Sequence, residues 1–423
     1  MSVDQNRAWK YLHDLSYIWG KGTEEEKGAY ARVTGTEGER LAAEYLKKCC
    51  EGLGIPATIE EYEIDHSDIH NAELTLKGGK AYTAYGVAHT GNTPAEGITA
   101  PFQFVTNGDQ DADLVDLKGK IALVTGRVSP KLARTLKEKG AVAYVVSVGG
   151  YFDDERIANG PRVPTMSAKA EIDLPGVAIH MRDVKDLVCN HQGEELTLKL
   201  DQTPGKWTAR NVIAEIPGSE CPDEVLVLSA HFDTVIYALG SWDNGTGCVT
   251  LLEAMNHFKA NPPKRTVRFL WCGSEEIGLV GSKKYCEMHK DELDKIIYNI
   301  NIDMLGAPLS RNLFCASASE ATYYYTETYA KMKGWAFKGE MGMYSSDSSS
   351  FANAGVPACS FGQDMPRGGA EIHNYRDTLD EVDPKTLIDG VAFVVDYAET
   401  IVNAKVNPIP RSFAPKVTER MEQ

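Results

Sequence analysis

The sequence predicts an α/β fold: a mostly parallel sheet flanked by helices, with an inserted β-rich module. Three observations carry that prediction. After residue 201, runs that are apolar throughout, "EVLVLSA", "TVRFLWC", "IIYNINID" and "PACSFG", alternate with helical stretches such as "CVTLLEAMNHFKA", as expected of strands covered on both faces by crossover helices. Between residues 70 and 200 the texture changes to short alternating strands separated by Gly, Pro and Asn. The length of 423 residues, at roughly 150 residues per domain, allows two or three domains.

In chain order, "TGTEGERLAAEYLKKCCEGLGI" predicts the first clear helix. Thr36 and Glu39 have capping-box spacing, Leu41, Tyr45, Leu46, Cys49 and Leu53 recur at helical intervals, and Gly54 stops the run. A short strand, "ATIEEYEI", follows, and residues 1–69 form the N-terminal part of the core. The module at 70–200 contains one βαβ-like piece, "GKIALVTGRVSPKLARTLKEKGAVAYVVSV", with Ser129 as N-cap, Pro130 at the first helical position and Gly140 at the stop. The core resumes over 201–405. The Pro-rich, polar ending "NPIPRSFAPKVTERMEQ" predicts a surface tail over 406–423.

Composition narrows the function classes. A formal charge of -16, a pI near 5.2 and the lack of a basic cluster argue against a nucleic-acid partner. No apolar run approaches membrane-spanning length, so no membrane partner is expected. The opening "MSVDQNRAWKYLHDL" has no basic flank before an apolar core, and the nine cysteines, several inside apolar runs, form no CxxC pair. Both features predict a cytoplasmic protein with reduced, buried thiols.

Ligands of doubly wound sheets bind outside the carboxyl ends of the strands, and there the sequence places a coherent set of side chains. "EVLVLSA" runs into "HFDT", with His231 and Asp233; "GSWDNGTG" supplies Asp243; "TVRFLWC" leads to Glu275 and Glu276; "IIYNINI" ends in Asp303; the loop after "PACSFG" carries His373. Singly, each fits an ordinary role, such as a hydrogen-bonded core histidine, a helix cap, first-turn acids or a loop aspartate. Together they do not, because acids gathered at one sheet edge repel one another and lose hydration. A pair of divalent metal ions removes the conflict. Imidazole and carboxylate without thiolate suit zinc, with cobalt or manganese as substitutes. Asp233 is of the type that fixes a ligating imidazole's tautomer, although a loop-capping role fits the same spacing.

The motifs "HFDT", "DNGTG", "SEEIGLVGS", "NIDM" and "SSDSSSFANAGVPA…IHNYRDT" resemble, in order and spacing, the aminopeptidase Y and glutamate carboxypeptidase family of dizinc exopeptidases. The likeness covers nearly the whole chain, since "RVTGTEGERLAAEYL" is similar to the family's N-terminal helix and residues 70–200 to its inserted protease-associated domain. It implies a zinc-peptidase core of phosphorylase/hydrolase-like fold and a peptide substrate. Carried over residue by residue, it implies two Zn2+ ions bridged by Asp243, one also held by His231 and Asp303, the other by Glu276 and His373. Glu275 is then the general base, taking a proton from the attacking water and returning it to the leaving amine, and Asp233, as the partner of the His231 imidazole, is counted with it among the catalytic residues.

The activity implied is that of an aminopeptidase removing N-terminal residues. A carboxypeptidase or dipeptidase of the same family is the runner-up, and a catalytically silent binding protein on the same scaffold is a third reading. One departure stands out. Many relatives carry a tyrosine directly before the last histidine as a donor to the tetrahedral intermediate, whereas Ile372 stands there in this chain. Tyr375 or Arg367 is the substitute that the sequence offers, and Arg367, Arg311 and Arg376 are the nearby cations that would meet a substrate carboxylate.

Overall fold

The computed structural model describes residues 3–18, 31–106, 108, 110–126, 128–152, 172–366 and 368–421. They form two compact units, one of residues 1–62 and 208–423, the other of residues 63–207. The expected divisions at 69/70 and 200/201 fall inside two long strands, Ala57–Leu76 and Glu195–Ile216, which pair with each other. The first has no Gly or Pro from Ala57 to Leu76 to interrupt it, so the short strand expected at "ATIEEYEI" runs on to 20 residues.

In the first unit the strand order is Lys338–Met341, Arg311–Ser317, Ala358–Asp364, Ile296–Asp303, Cys221–His231, Arg265–Cys272 and Glu195–Ile216. The central four strands are parallel to one another. Antiparallel partners flank them on both sides, so the sheet is mixed, with a parallel centre. Val227, Leu228, Phe269, Leu270, Ile300 and Phe361 are fully buried in this sheet, each contributing roughly 1.5–3 kcal/mol of transfer free energy. The helix Thr246–Ala260 is buried on nearly every side, with only Asn256, Lys259 and Ala260 outside the core, and its continuous apolar run has no polar face.

The 63–207 unit has its own run of paired strands. Ile98–Phe104, Ile121–Val124, Ala143–Val148 and Gly176–His180 are parallel neighbours, and Ala84–Gly86 adds an antiparallel edge. The helix Pro130–Glu138 starts as its sequence predicts: Ser129 Oγ accepts from Leu132 N–H at 3.2 Å, and Pro130 opens the first turn. Gly140, at φ +88°, turns the chain away.

Two expectations change. The ending is not a loose surface tail, because Pro415–Met421 is helical and Ile409, Ala414 and Val417 are buried. Those three apolar residues, spread among polar neighbours, anchor it, and Arg411 donates to the Leu293 and Ile296 carbonyls at 3.0 Å each. The helix Glu37–Gly52 is present, but no capping box forms. Thr36 Oγ1 donates to Val33 O at 2.6 Å, and Glu39 is buried beneath Arg210, whose Nη1 donates to Glu39 Oε2 at 2.7 Å.

Among the described residues Glu39 Oε1 has no hydrogen-bond partner, and burial, partly offset by Arg210, pushes this carboxyl up to about 7. The unfolded chain therefore releases the proton near the ordinary carboxylate value while the folded chain keeps it. The stability from this group is fully present at low pH and is lost as the pH rises through about 7. Glu39→Gln, which cannot ionise, is expected to gain about 2–3 kcal/mol on the wild type between pH 5 and pH 8. Urea midpoints at several pH values measure this; a pH-independent difference between the two proteins would contradict it.

Candidate metal centre

Each predicted ligand lies at the end of a strand or just beyond one. His231 and Asp303 are the last residues of Cys221–His231 and Ile296–Asp303. Asp243 lies in the tight turn Ser241–Gly245 that opens into Thr246–Ala260. Glu275 and Glu276 follow the strand Arg265–Cys272 after a two-residue turn, and His373 lies in the loop beyond Ala358–Asp364. Ser274, Met304 and His373 all have φ near +60°, from 57° to 68°, a conformation costing of order 1–3 kcal/mol each for residues other than glycine. The chain bends sharply where the side chains must converge.

They converge into two groups that share one residue. His231 Nε2 stands 3.1 Å from Asp243 Oδ1 and 3.5 Å from Asp303 Oδ1. His373 Nε2 stands 3.1 Å from Asp243 Oδ2 and 3.2 Å from Glu276 Oε2. Within each group the potential ligand atoms lie within 4.8 Å of one another. Asp243 thus points one oxygen to each side. Apart from the 3.5 Å approach of His231 Nε2, Asp303 Oδ1 is buried without a hydrogen-bond partner among the described residues, as expected of an oxygen whose partner is a cation. Three ligands of mixed imidazole and carboxylate type on each side match a catalytic zinc site, which keeps a coordination position open. The residues fit the metal pair.

Asp233 has a different task from the one expected. Its carboxylate is 3.7 Å from His231 Nδ1, too far for a hydrogen bond, and that nitrogen instead lies 3.2 Å from the Asp233 backbone carbonyl. The carboxylate accepts from Glu275 N–H at 3.0 Å, Glu276 N–H at 3.2 Å and Thr34 Oγ1 at 2.9 Å. It fixes the peptide that carries both glutamates. Burial raises the Glu275 carboxyl well above its usual range, and the Glu276, Asp303 and Asp347 charges push in the same direction.

Other residues in the motifs lock the turns together. Asn244 Nδ2 donates to Ile302 O at 2.8 Å, while its Oδ1 accepts from Gly247 N–H at 2.9 Å and Met304 N–H at 3.2 Å. The Asp243 turn is thereby tied to the strand end bearing Asp303. A Cβ at Gly247 would come within 2.6 Å of Ile302 O, so the last glycine of "DNGTG" permits this approach. Asn244 carried only a glycosylation-like "NGT" signal in the sequence, which gave no hint of the tie. Asp347 and Asp377, both buried, also went unassigned, although both lie in quoted motifs. Tyr375 packs on the Arg376 guanidinium, 5.1 Å from ring centroid to Cζ. Arg367 lies outside the described residues.

Residues 211–398 match the family model described as Peptidase family M28. The matched segment contains all seven side chains placed at the site. Among curated proteins, aminopeptidase YwaD of Bacillus subtilis is 29% identical over 280 residues, 65% of this chain and 58% of its own length. The probable lipoprotein aminopeptidase LpqL of Mycobacterium tuberculosis is 28% identical over 289 residues, 66% of this chain and 55% of its own. The chain therefore spans somewhat more than half the length of these relatives.

Among solved structures, a zinc aminopeptidase from Bacillus subtilis superposes with a TM-score of 0.78 at 24% identity, covering 96% of this chain and 98% of that one. An aminopeptidase from an Aneurinibacillus strain gives 0.73 at 21% identity, covering 97% and 96%. At such identities the likeness establishes the fold. If the two joined clusters each hold one zinc ion, His231→Ala should lose about one of them and Asp243→Ala nearly both. Metal analysis after desalting tests this, and full zinc content in Asp243→Ala would count against a shared ligand.

Proposed function

We propose that this chain is a zinc-dependent aminopeptidase that removes N-terminal residues from peptides, with two zinc ions at the joined clusters and Glu275 as general base. One observation carries the reading: Asp243 is shared between two three-residue groups, while a further acid, Glu275, is left beside them on a peptide gripped by Asp233. The relatives named above are aminopeptidases, which supports the same branch of chemistry. When bound, the zinc ions lower the pKa of the attacking water and polarise the scissile carbonyl. The chain's residues do the rest. His231, Asp303 and Asp243 hold one ion and Glu276, His373 and Asp243 the other. The Glu275 carboxylate takes the water's proton and returns it to the amide nitrogen as the C–N bond breaks and the amine departs.

Tyr344 takes the place of the tyrosine missing at position 372. It is half-buried, and its hydroxyl has no hydrogen bond among the described residues. Burial first, and then charges that include Asp303 and Asp243, raise the hydroxyl's pKa. The hydroxyl lies near Gly362, the ladder partner of Asp303, where a Cβ would stand 3.6 Å from it, an ordinary contact. We assign it to the substrate's carbonyl oxygen. The carboxypeptidase reading loses support because its described arginines are already paired, Arg376 with Glu371 at 2.6 Å and Arg311 with Asp364.

We further read the 63–207 unit as a protease-associated insertion of the aminopeptidase Y and glutamate carboxypeptidase group, an assignment supported by its compactness as a unit and its own run of parallel strands. Nine free cysteines support a reducing, cytoplasmic location.

Glu275→Gln is expected to keep its zinc and lose about 10²–10⁴-fold in kcat; near wild-type turnover would exclude the general-base role. Tyr344→Phe should lower kcat by about 10²-fold with unchanged zinc, and an effect confined to KM would remove the assignment. A panel of aminoacyl anilides, N-acetylated anilides and carboxypeptidase substrates, with and without chelator, tests the activity itself. Cleavage of blocked amines only would rule out an aminopeptidase.

A further inference from the structure

The shared residue Asp243 sits on a turn whose backbone is held from two sides by a buried carboxyl and a buried guanidinium. Asp377, fully buried, accepts from Trp242 N–H with Oδ1 at 2.8 Å and from Asp243 N–H with Oδ2 at 3.0 Å. Arg32, also fully buried, donates to carbonyls of the same turn: Nη1 to Leu239 O at 2.6 Å and Nη2 to Gly240 O at 2.8 Å. Its Nε donates to Phe232 O at 2.6 Å, immediately after His231. The N–H groups of the turn thus face a carboxyl, which burial pushes up to about 8, and its carbonyls a guanidinium. The intervening peptides are held in one orientation by these bonds, those from the guanidinium being charge-assisted and about twice as strong as neutral ones.

Asp377 lies four residues after His373. The loop that presents the last imidazole therefore also clamps the backbone of the residue that imidazole must share an ion with. We propose that Asp377 is a positioning residue of the metal pair: by holding the Trp242 and Asp243 amides it keeps the two Asp243 oxygens divided between the half-sites, so that binding at one half prepares the other. Arg32 completes the clamp from the carbonyl side. Neither touches the reacting atoms. The inference rests on the two-ion reading above. It adds that the coupling between the ions is set by a side chain that binds neither.

Asparagine at 377 has one acceptor oxygen in place of two and would turn an amide N–H₂ toward the second backbone N–H. The test is a cobalt titration of the metal-free full chain, with competition against a chromogenic chelator for the stepwise affinities and paramagnetic resonance for exchange coupling. The wild type should bind two cobalt ions with an exchange-coupled signal. Asp377→Asn should bind the second ion about 10–100-fold more weakly and lose the coupled signal, and Asp377→Glu, which restores a carboxylate, should recover part of both.

A wild type that binds two coupled ions beside an Asp377→Asn that does the same would overturn this inference and leave the two-ion reading standing. A wild type binding fewer than two would overturn that reading, and the inference with it. Should Asp377→Asn fail to fold, Asp377→Glu decides the matter. A second-ion affinity lowered several-fold upholds the clamp, and a titration identical to wild type makes Asp377 a fold residue only and ends the proposal.

Discussion

The site is governed by like-charge repulsion where water is scarce. Asp243, Glu275, Glu276 and Asp303 occupy one sheet edge, three of them buried. Two such charges about 4 Å apart repel by about 4 kcal/mol at the effective dielectric of a protein site. A fold that keeps them together must supply protons or cations, and two imidazoles alone do not match four carboxylates. The division of Asp243 between His231 and His373 is the geometric form of that constraint: the acid common to both half-sites is the one facing two positive positions at once. Cations held at the two half-sites would be part of what allows the strand ends to approach one another.

The same constraint explains why so many polar side chains at this edge bond to backbone. Asp233 takes the amides of Glu275 and Glu276, Asn244 ties its own turn to Ile302 and Met304, and Asp377 takes the amides of Trp242 and Asp243. A ligand mounted on a free loop would move away from its charged neighbours, whereas one mounted on a turn held by two or three such bonds cannot. Positive φ angles at Ser274, Met304 and His373 show where backbone comfort is given up to the same end.

Much of this was legible in the sequence. Apolar runs of strand length alternating with helical stretches gave the parallel centre of the sheet, because strands buried on both faces leave that trace. The rule that ligands collect beyond strand ends then located His231, Asp243, Glu275, Glu276, Asp303 and His373. Other features were hidden for physical reasons. The long strands 57–76 and 195–216 are polar and half-exposed along much of their length, so their periodicity is weak and the unit boundaries were misplaced. The capping-box spacing of Thr36 and Glu39 could not reveal that Arg210, far away in sequence, claims the glutamate. Asp233 was singled out for its spacing from His231, but its actual partners lie more than forty residues further on. Spacing reports local geometry, and these roles are set by tertiary contacts.

The order of the ligands along the chain has a consequence for biosynthesis. His231, Asp243 and Asp303, which form one half-site, all precede His373, which completes the other. During synthesis from the amino terminus, a chain stopped short of residue 373 would contain every residue of the first half-site and lack the imidazole of the second. It would also lack Asp377, the carboxyl that holds the Asp243 amide. The second half-site, and the clamp on the residue common to both, can therefore close only after synthesis has passed residue 377.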